Sequence, residues 1–215
     1  MKRIAFYGGS FDPIHLGHLK IARELTERFS LSEFVFIPAF HAPHKLDRKP
    51  TSAFHRFTML CLATNADPNI KVSAMELELP EKPYTVETLS RLKADADEIE
   101  IFFVMGADSW QDILTWREWE KVLLMTNHIV VTRPGYEIDV SHVSDEVRRR
   151  IVDLRGMEPP YSVSASGLRI YITDAVNIQM SASRIRRNIR EGEVSWHEEL
   201  PEEVAKYIEK YQIYR

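Results

Sequence analysis

The sequence predicts an α/β fold, a doubly wound parallel sheet with helices on both faces. Two patterns predict it. Short apolar runs alternate with segments of helical periodicity, the order that a parallel sheet with right-handed crossovers requires. The most apolar run, residues 99–105, has the composition of a central strand covered on both faces. Residues 4–7 form a first strand that ends in Gly8 and Gly9. Residues 16–29 are helical, with Leu16, Leu19, Ile21, Leu25 and Phe29 available for an inner face. Residues 34–37 are a second strand, stopped by Pro38. Residues 39–52 are polar, carry Pro43 and Pro50, lack periodicity and read as a mobile loop. A helix follows at 53–66, a weak strand at 70–73, a helix at 85–94, the central strand, a helix at 116–125 and a strand at 128–132 before the Pro134-Gly135 turn. Residues 154–168, with Pro159-Pro160 and several serines, read as an irregular excursion, and 169–173 as a last strand. A helix at 181–190 has Ser181 as N-cap and Gly192 just past its end. An amphipathic helix at 201–211 closes the chain.

Composition narrows the function classes. A chain of 215 residues, 44% hydrophobic and 28% charged, suits one α/β domain over 1–215, with the C-terminal helices (about 181–211) packed on the sheet. The net charge of −4, from 28 basic and 32 acidic residues, argues against a nucleic-acid polymer as partner. Cys61 is the single cysteine, so no disulfide forms within the chain. The apolar run after Lys2 and Arg3 stops at Gly8, which is not the pattern of a signal peptide. No apolar stretch is long enough to span a bilayer. The expectation is a cytoplasmic protein without a membrane partner, its homo-oligomeric state left open.

The chemistry concentrates where the first strand turns into the first helix. There the chain reads Gly8-Gly9-Ser10-Phe11-Asp12-Pro13-Ile14-His15-Leu16-Gly17-His18. Open parallel sheets bind ligands beyond the carboxyl ends of their strands. Two glycines let a ligand approach the backbone, and a helix starting near His15 points its N–H groups and positive dipole end at an anion. His15 and His18, three apart, share a helical face, and Gly17 between them leaves room for a bulky ligand. The pair suits a polyphosphate and can follow negative charge as it develops in a transition state. Either histidine taken alone reads as a surface residue at a glycine turn; it is the combined string that points to a site. The segment lacks the ending of a Walker A loop and the glycine spacing of the dinucleotide fingerprint. A zinc site built from His15, His18, His41 and His44 is a rival reading, but no Cys or Glu stands at ligand spacing beside them.

Three further segments follow predicted strands. Lys45 could reach a phosphate as a point charge, or be a solvated surface lysine. Gly106 allows close ligand approach, and Asp108 could accept from ribose hydroxyls or cap a helix. Ser181-Ala182-Ser183-Arg184-Ile185-Arg186 opens a late helix with hydroxyls, N–H groups and arginines, either a second anion site or an ordinary capped basic helix.

These segments together resemble a known family. Gly8 to His18 is similar to the opening of the nucleotidyltransferase superfamily with the His-x-Gly-His motif, and Ser181 to Arg186 resembles its second motif. Pro43-His44-Lys45, Tyr84-Thr85, Gly106-Ala107-Asp108-Ser109, Thr115-Trp116 and Arg133-Pro134-Gly135 extend the likeness to the bacterial nicotinate mononucleotide adenylyltransferases, over residues 3 to about 190. The resemblance implies a Rossmann-like fold. It implies that ATP, carrying Mg²⁺, reacts with nicotinate mononucleotide to give deamido-NAD and pyrophosphate, with no metal held by the protein itself. By position, His18, His15, Lys45 and Arg186 are the catalytic residues. Gly8, Gly9, Ser10, Phe11, Gly106, Asp108, Ser181 and Ser183 bind ATP. His44, Thr85, Trp116, Arg117 and Arg133 bind the acceptor, Trp116 by stacking and the backbone near Thr85 by donating to the carboxylate. Taken alone, Trp116 reads as a core aromatic. The departures are Ser183 in place of the usual Thr, Ala182 where Ser is common, and Arg117 where an aromatic is often found. The alternatives are a sister adenylyltransferase for FMN or phosphopantetheine, and a nucleotide-binding regulator without catalysis.

Overall fold

A strand buried on both faces needs apolar side chains at successive positions, and residues 101–105 of the central strand are all buried. The structure, a computed structural model, describes residues 1–40, 51–81, 83–94, 98–132, 138–161, 163, 167–176 and 180–215. The elements run β1 (Lys2–Gly9), α1 (Leu16–Arg28), β2 (Glu33–Pro38), α2 (Ala53–Thr64), β3 (Ile70–Val72), α3 (Thr85–Ala94), β4 (Ile99–Gly106) and α4 (Ala107–Gln111). A 3-10 turn at Ile113–Thr115 follows, then α5 (Trp119–Met125), β5 (Asn127–Val131), α6 (Asp145–Arg148), β6 (Ile151–Asp153), β7 (Ile170–Thr173) and α7 (Ala182–Arg190). A second 3-10 turn at Ser195–Glu199 precedes α8 (Glu202–Lys210).

The strands form a seven-stranded parallel sheet in the order β3-β2-β1-β4-β5-β7-β6. Tyr7 of β1 stands opposite Val104 of β4, and Gly106 opposite Val131 of β5. The order reverses at β1 and β4, and in such sheets ligands bind beyond the carboxyl ends of the strands at the reversal. β1 ends at Gly9 and β4 at Gly106.

Two compact units are distinguished. The first comprises Met1–Tyr7, Arg23–Phe34 and Pro83–Ile178, the second Gly8–Ala22, Val35–Lys82 and Gln179–Arg215. In the first, Val86, Leu89, Phe103, Met105, Trp110 and Val130 lie in one buried cluster. Trp110 is fully buried, and its indole N–H donates to the Asp139 carbonyl at 2.8 Å. His128 is also fully buried. Burial pushes its pKa down to about 4, so the ring is neutral and meets the Val122 carbonyl through Nε2 at 2.9 Å. In the second unit, α2 packs on β3 and α8, and α7 on the 3-10 turn at Ser195–Glu199.

The helix expected at 116–125 begins only at Trp119. Trp116 ends the preceding 3-10 turn with extended backbone (φ −78°, ψ 141°), and Glu118 takes the left-handed conformation (φ 51°) before the chain turns helical. Two short elements, α6 and β6, have no counterpart in the sequence reading; α4 answers to the alternative that Asp108 caps a helix, but its N-cap is Gly106 and Asp108 lies in its first turn. β6 is a three-residue edge strand, too short to show a period. α6 did carry a signal, since Ser144 caps it by accepting from the Val147 N–H and Asp145 and Glu146 fill its first turn.

Ser181 occupies the N-cap of α7 as expected, but its hydroxyl makes no capping hydrogen bond. Gly192 terminates the helix at φ 73°, with Glu193 N–H donating to the Asn188 carbonyl and Gly192 N–H to that of Ile189. α1 and α8 end in the same way on non-glycine residues, Ser30 (φ 51°) and Gln212 (φ 50°). The described part of 154–168 has no helix or strand, as expected. It is anchored by buried Tyr161, whose hydroxyl meets Arg28 and Thr173 Oγ1 at 3.1 Å each. Among the described residues no helix is long and apolar enough to cross a membrane.

Candidate active site

The loop after β1 is shaped by its own side chains. A Cβ on Gly9 would stand 2.8 Å from the Phe11 ring, so that ring can lie over the strand end only if residue 9 is glycine. Phe11 is buried, takes a left-handed backbone (φ 44°), and sets its ring edge-on to Phe36 and His18. The Asp12–Pro13 peptide is cis. The His15 carbonyl accepts from the His18 N–H at 2.9 Å, making His15 the N-cap of α1. His18 reaches back in turn, its Nδ1 accepting from the His15 N–H at 3.3 Å, as a glutamate does in a capping box. This bond fixes the tautomer: with Nδ1 accepting, neutral His18 carries its proton on Nε2 and donates from there. The two imidazoles stack at 3.7 Å, His15 buried and His18 half-buried. Gly17 accommodates the stack, because a Cβ there would lie 3.0 Å from His15 Nδ1.

Asp12 ties this loop to the start of α7 and to two other segments. Its carbonyl accepts from Arg186 Nη1, while Arg186 Nη2 donates to Ser183 Oγ at 3.2 Å. Its carboxylate accepts from the Tyr214 hydroxyl at 2.7 Å and from the Thr51 N–H at 3.4 Å. Beneath the loop lies Arg56, 1% exposed. Its guanidinium donates to the carbonyls of Thr51 (3.0 Å), Ser10 (2.6 Å), Ala39 (2.7 Å) and Phe40 (3.3 Å). Burial lowers its pKa and the Asp12 charge opposes that, and a guanidinium so placed stays charged. The sequence reading gave no role to Asp12, Arg56 or Tyr214. Arg56 had a signal: it falls on the stripe of Met59, Leu60 and Ala63, where a core side chain belongs.

The remaining candidates belong to the first unit. Tyr84 precedes α3, its carbonyl accepting from the Glu87 and Thr88 N–H groups and its own N–H donating to the Glu87 carboxylate at 2.9 Å. Thr85 and Val86 then hold the first two helical positions, whose N–H groups have no partner within a helix. Arg117 lies over the Tyr84 ring at 4.7 Å and pairs with Glu87 at 3.5 Å. Both ionic partners are about half exposed, so the pair is worth at most about 1 kcal/mol and is readily exchanged. Trp116 is half-buried against the core cluster, which agrees with its packing role and leaves part of its surface accessible. Gly106 is the N-cap of α4, and a Cβ there would meet nothing within 4 Å. Asp108 is exposed in the first turn of α4.

The structure thus brings Gly9, Phe11, His15, His18, Ser183 and Arg186 together in the second unit, and Thr85 and Arg117 near Tyr84 in the first. His44, Lys45 and Arg133, and His41 of the zinc reading, lie outside the described residues. Among the described residues no three His, Cys, Asp or Glu side chains converge on a metal position. The β1 loop offers nitrogens and hydroxyls, and its one carboxylate, Asp12, is already engaged at both oxygens. That donor set suits phosphate oxygens and does not suit a protein-held Mg²⁺.

Known proteins share this framework. A family model of cytidylyltransferase-like proteins matches residues 6–188. A protein of Desulfatibacillum aliphaticivorans, described as a probable nicotinate-nucleotide adenylyltransferase, is 35% identical over 217 aligned positions, 99% of each chain. One of the same description from Thermoanaerobacter sp. (strain X514) is 36% identical, over 99% of this chain and 94% of its own. The solved structure of Plasmodium falciparum nicotinic acid mononucleotide adenylyltransferase complexed with NaAD superposes with a TM-score of 0.74 at 22% identity, covering 100% of this chain and 98% of that one. At that identity it speaks for the fold. The loop that stacks two histidines at the head of α1, and the full-length likeness around it, place this chain in the cytidylyltransferase-like family, among the nicotinate-nucleotide adenylyltransferases.

Proposed function

We propose that the chain transfers the adenylyl group of ATP, supplied as its Mg²⁺ complex, to nicotinate mononucleotide in NAD biosynthesis. A 5′-phosphate oxygen of the acceptor attacks the α-phosphorus. The bond from that phosphorus to the bridging oxygen breaks, and pyrophosphate leaves as deamido-NAD forms. No protein nucleophile is required, so catalysis consists of alignment and charge neutralisation. The observation that carries this reading is the joining of the two motif segments, with Arg186 of α7 bonded to Asp12 in the loop that presents His15 and His18. His15, His18, Ser183 and Arg186 hold the triphosphate, and Gly8, Gly9, Ser10, Phe11 and Ser181 support the nucleotide. Lys45 adds a further cation, and Gly106 and Asp108 meet a ribose. Thr85, Trp116 and Arg117, with His44 and Arg133, receive the acceptor. The cytoplasm is the compartment that suits these substrates.

The acceptor preference tests the roles given to Thr85, Trp116 and Arg117. N–H donors at the head of α3 and a guanidinium can all donate to a carboxylate. The amide of nicotinamide mononucleotide would turn an NH₂ toward one of them. Such a mismatch costs about 1–3 kcal/mol for each group that the bound acceptor closes off from water. The expected result is a kcat/KM for the nicotinate substrate at least about a hundredfold above that for the amide. Trp116→Ala should weaken both acceptors alike, because stacking senses the ring. Equal efficiency with the two acceptors would sink the acid-binding assignment.

A further inference from the structure

We infer that Tyr214 is a positioning residue for adenylyl transfer: its hydroxyl occupies the Asp12 carboxylate and so keeps Arg186 bonded to the Asp12 carbonyl, its remaining donors available to phosphate. This rests on the phosphate-holding role proposed for Arg186. The segment after α8 is built to deliver that hydroxyl. Gln212 turns the chain back in the left-handed conformation, the Ile213 N–H donates to the Ile208 carbonyl at 3.0 Å, and the Ile213 side chain is buried. Tyr214 follows at φ 74°, a conformation that a bulky residue holds only where its surroundings impose it. Its hydroxyl donates to Asp12 Oδ1 at 2.7 Å. Burial and the Asp12 charge raise the phenol's pKa, so it remains a donor.

The reason for such a donor lies in the neighbouring cation. A guanidinium beside a carboxylate ordinarily pairs with it through two parallel hydrogen bonds. Here Arg186 donates instead to the main-chain oxygen of Asp12 and to Ser183 Oγ. The Tyr214 hydroxyl and the Thr51 N–H satisfy the carboxylate, one at each oxygen. Without the hydroxyl, one carboxylate oxygen loses its donor, and Arg186, already bonded to the same residue, is drawn onto it. The arginine is then spent on the protein rather than on ATP.

The test is a cycle of Tyr214→Phe and Arg186→Ala read by steady-state kinetics, with thermal unfolding of each variant. Wild-type turnover of ATP with nicotinate mononucleotide comes first, and its absence would remove the function and this inference together. With turnover present, Tyr214→Phe should lower kcat/KM for ATP about tenfold while the KM for nicotinate mononucleotide changes less than twofold. In the Arg186→Ala background the same change should cost less than about twofold, because the residue it protects is gone. Asp12→Asn should recover at least about threefold of the loss in Tyr214→Phe, since a neutral amide competes poorly for Arg186. This recovery also serves if Tyr214→Phe lowers stability, which Asp12→Asn would not restore. An equal fold-loss with and without Arg186, or no loss in Tyr214→Phe, overturns the inference and leaves the proposed reaction standing.

Discussion

His18→Ala should lower turnover by about two to three orders of magnitude, the usual size for one donor that meets developing transition-state charge. The geometry says why this histidine should matter so much. Its Nδ1 is committed to the His15 N–H, so its proton sits on Nε2, and its ring is held by the stack on His15 and the edge of Phe11. A donor fixed in tautomer and orientation needs no reorganisation when the α-phosphoryl oxygens gain charge. The substitution also removes a capping bond at the head of α1, a smaller effect of about 1 kcal/mol that would appear in stability. ATP binding should weaken much less than turnover, because the remaining phosphate contacts act in the ground state. Rapid-quench or steady-state measurement of kcat checks this, and a fall of less than about threefold would remove His18 from the role.

Arg56→Leu should destabilise the protein by about 3–5 kcal/mol, because it deletes a buried cation that makes several hydrogen bonds, each worth about 1.5–3 kcal/mol when one partner is charged. A leucine fills part of the volume but leaves four carbonyls, those of Thr51, Ser10, Ala39 and Phe40, without this donor. The four residues that carry these carbonyls are half-buried, so each lost bond costs at most about 1–3 kcal/mol and water relieves part of it. Arg56→Lys should lie between the two, since an ammonium keeps the charge but lacks the planar fork that spans several carbonyls. Activity should fall along with stability, because the Ser10 and Thr51 carbonyls flank the loop carrying Asp12 and His15. Urea denaturation checks the figure, and a loss below about 1 kcal/mol would mean that the loop does not depend on Arg56.

The parts of the candidate site that were legible in the sequence are those whose chemistry is contiguous along the chain. Gly8 to His18 runs from strand to helix without interruption, and the three-residue spacing of His15 and His18 put them on one side of the helix start, though not their stacking. Ser183 and Arg186 were legible for the same reason. What could not be read were bonds between residues far apart in sequence. Tyr214 and Asp12 are separated by 202 residues and Arg186 and Asp12 by 174, and no period or local motif encodes such pairings. Arg56 could have been noticed as a charge on an apolar stripe, though nothing local names its acceptors. Parallel pairing was legible, since alternating strands and helices require it, but the order of the strands was not. β6 escaped because three edge residues after a run of arginines show no pattern. The start of α5 was misplaced because Trp116 and Trp119 fit a helical spacing, while the left-handed Glu118 that breaks it has no sequence signature.

The central claim, adenylyl transfer from ATP to nicotinate mononucleotide, is tested most directly by following pyrophosphate release. The purified protein is given Mg²⁺ and ATP with each of three acceptors in turn: nicotinate mononucleotide, FMN and phosphopantetheine. The account predicts pyrophosphate in step with deamido-NAD when nicotinate mononucleotide is present, and background release with the other two. Comparable turnover with FMN or phosphopantetheine, or no pyrophosphate with any acceptor, would contradict it.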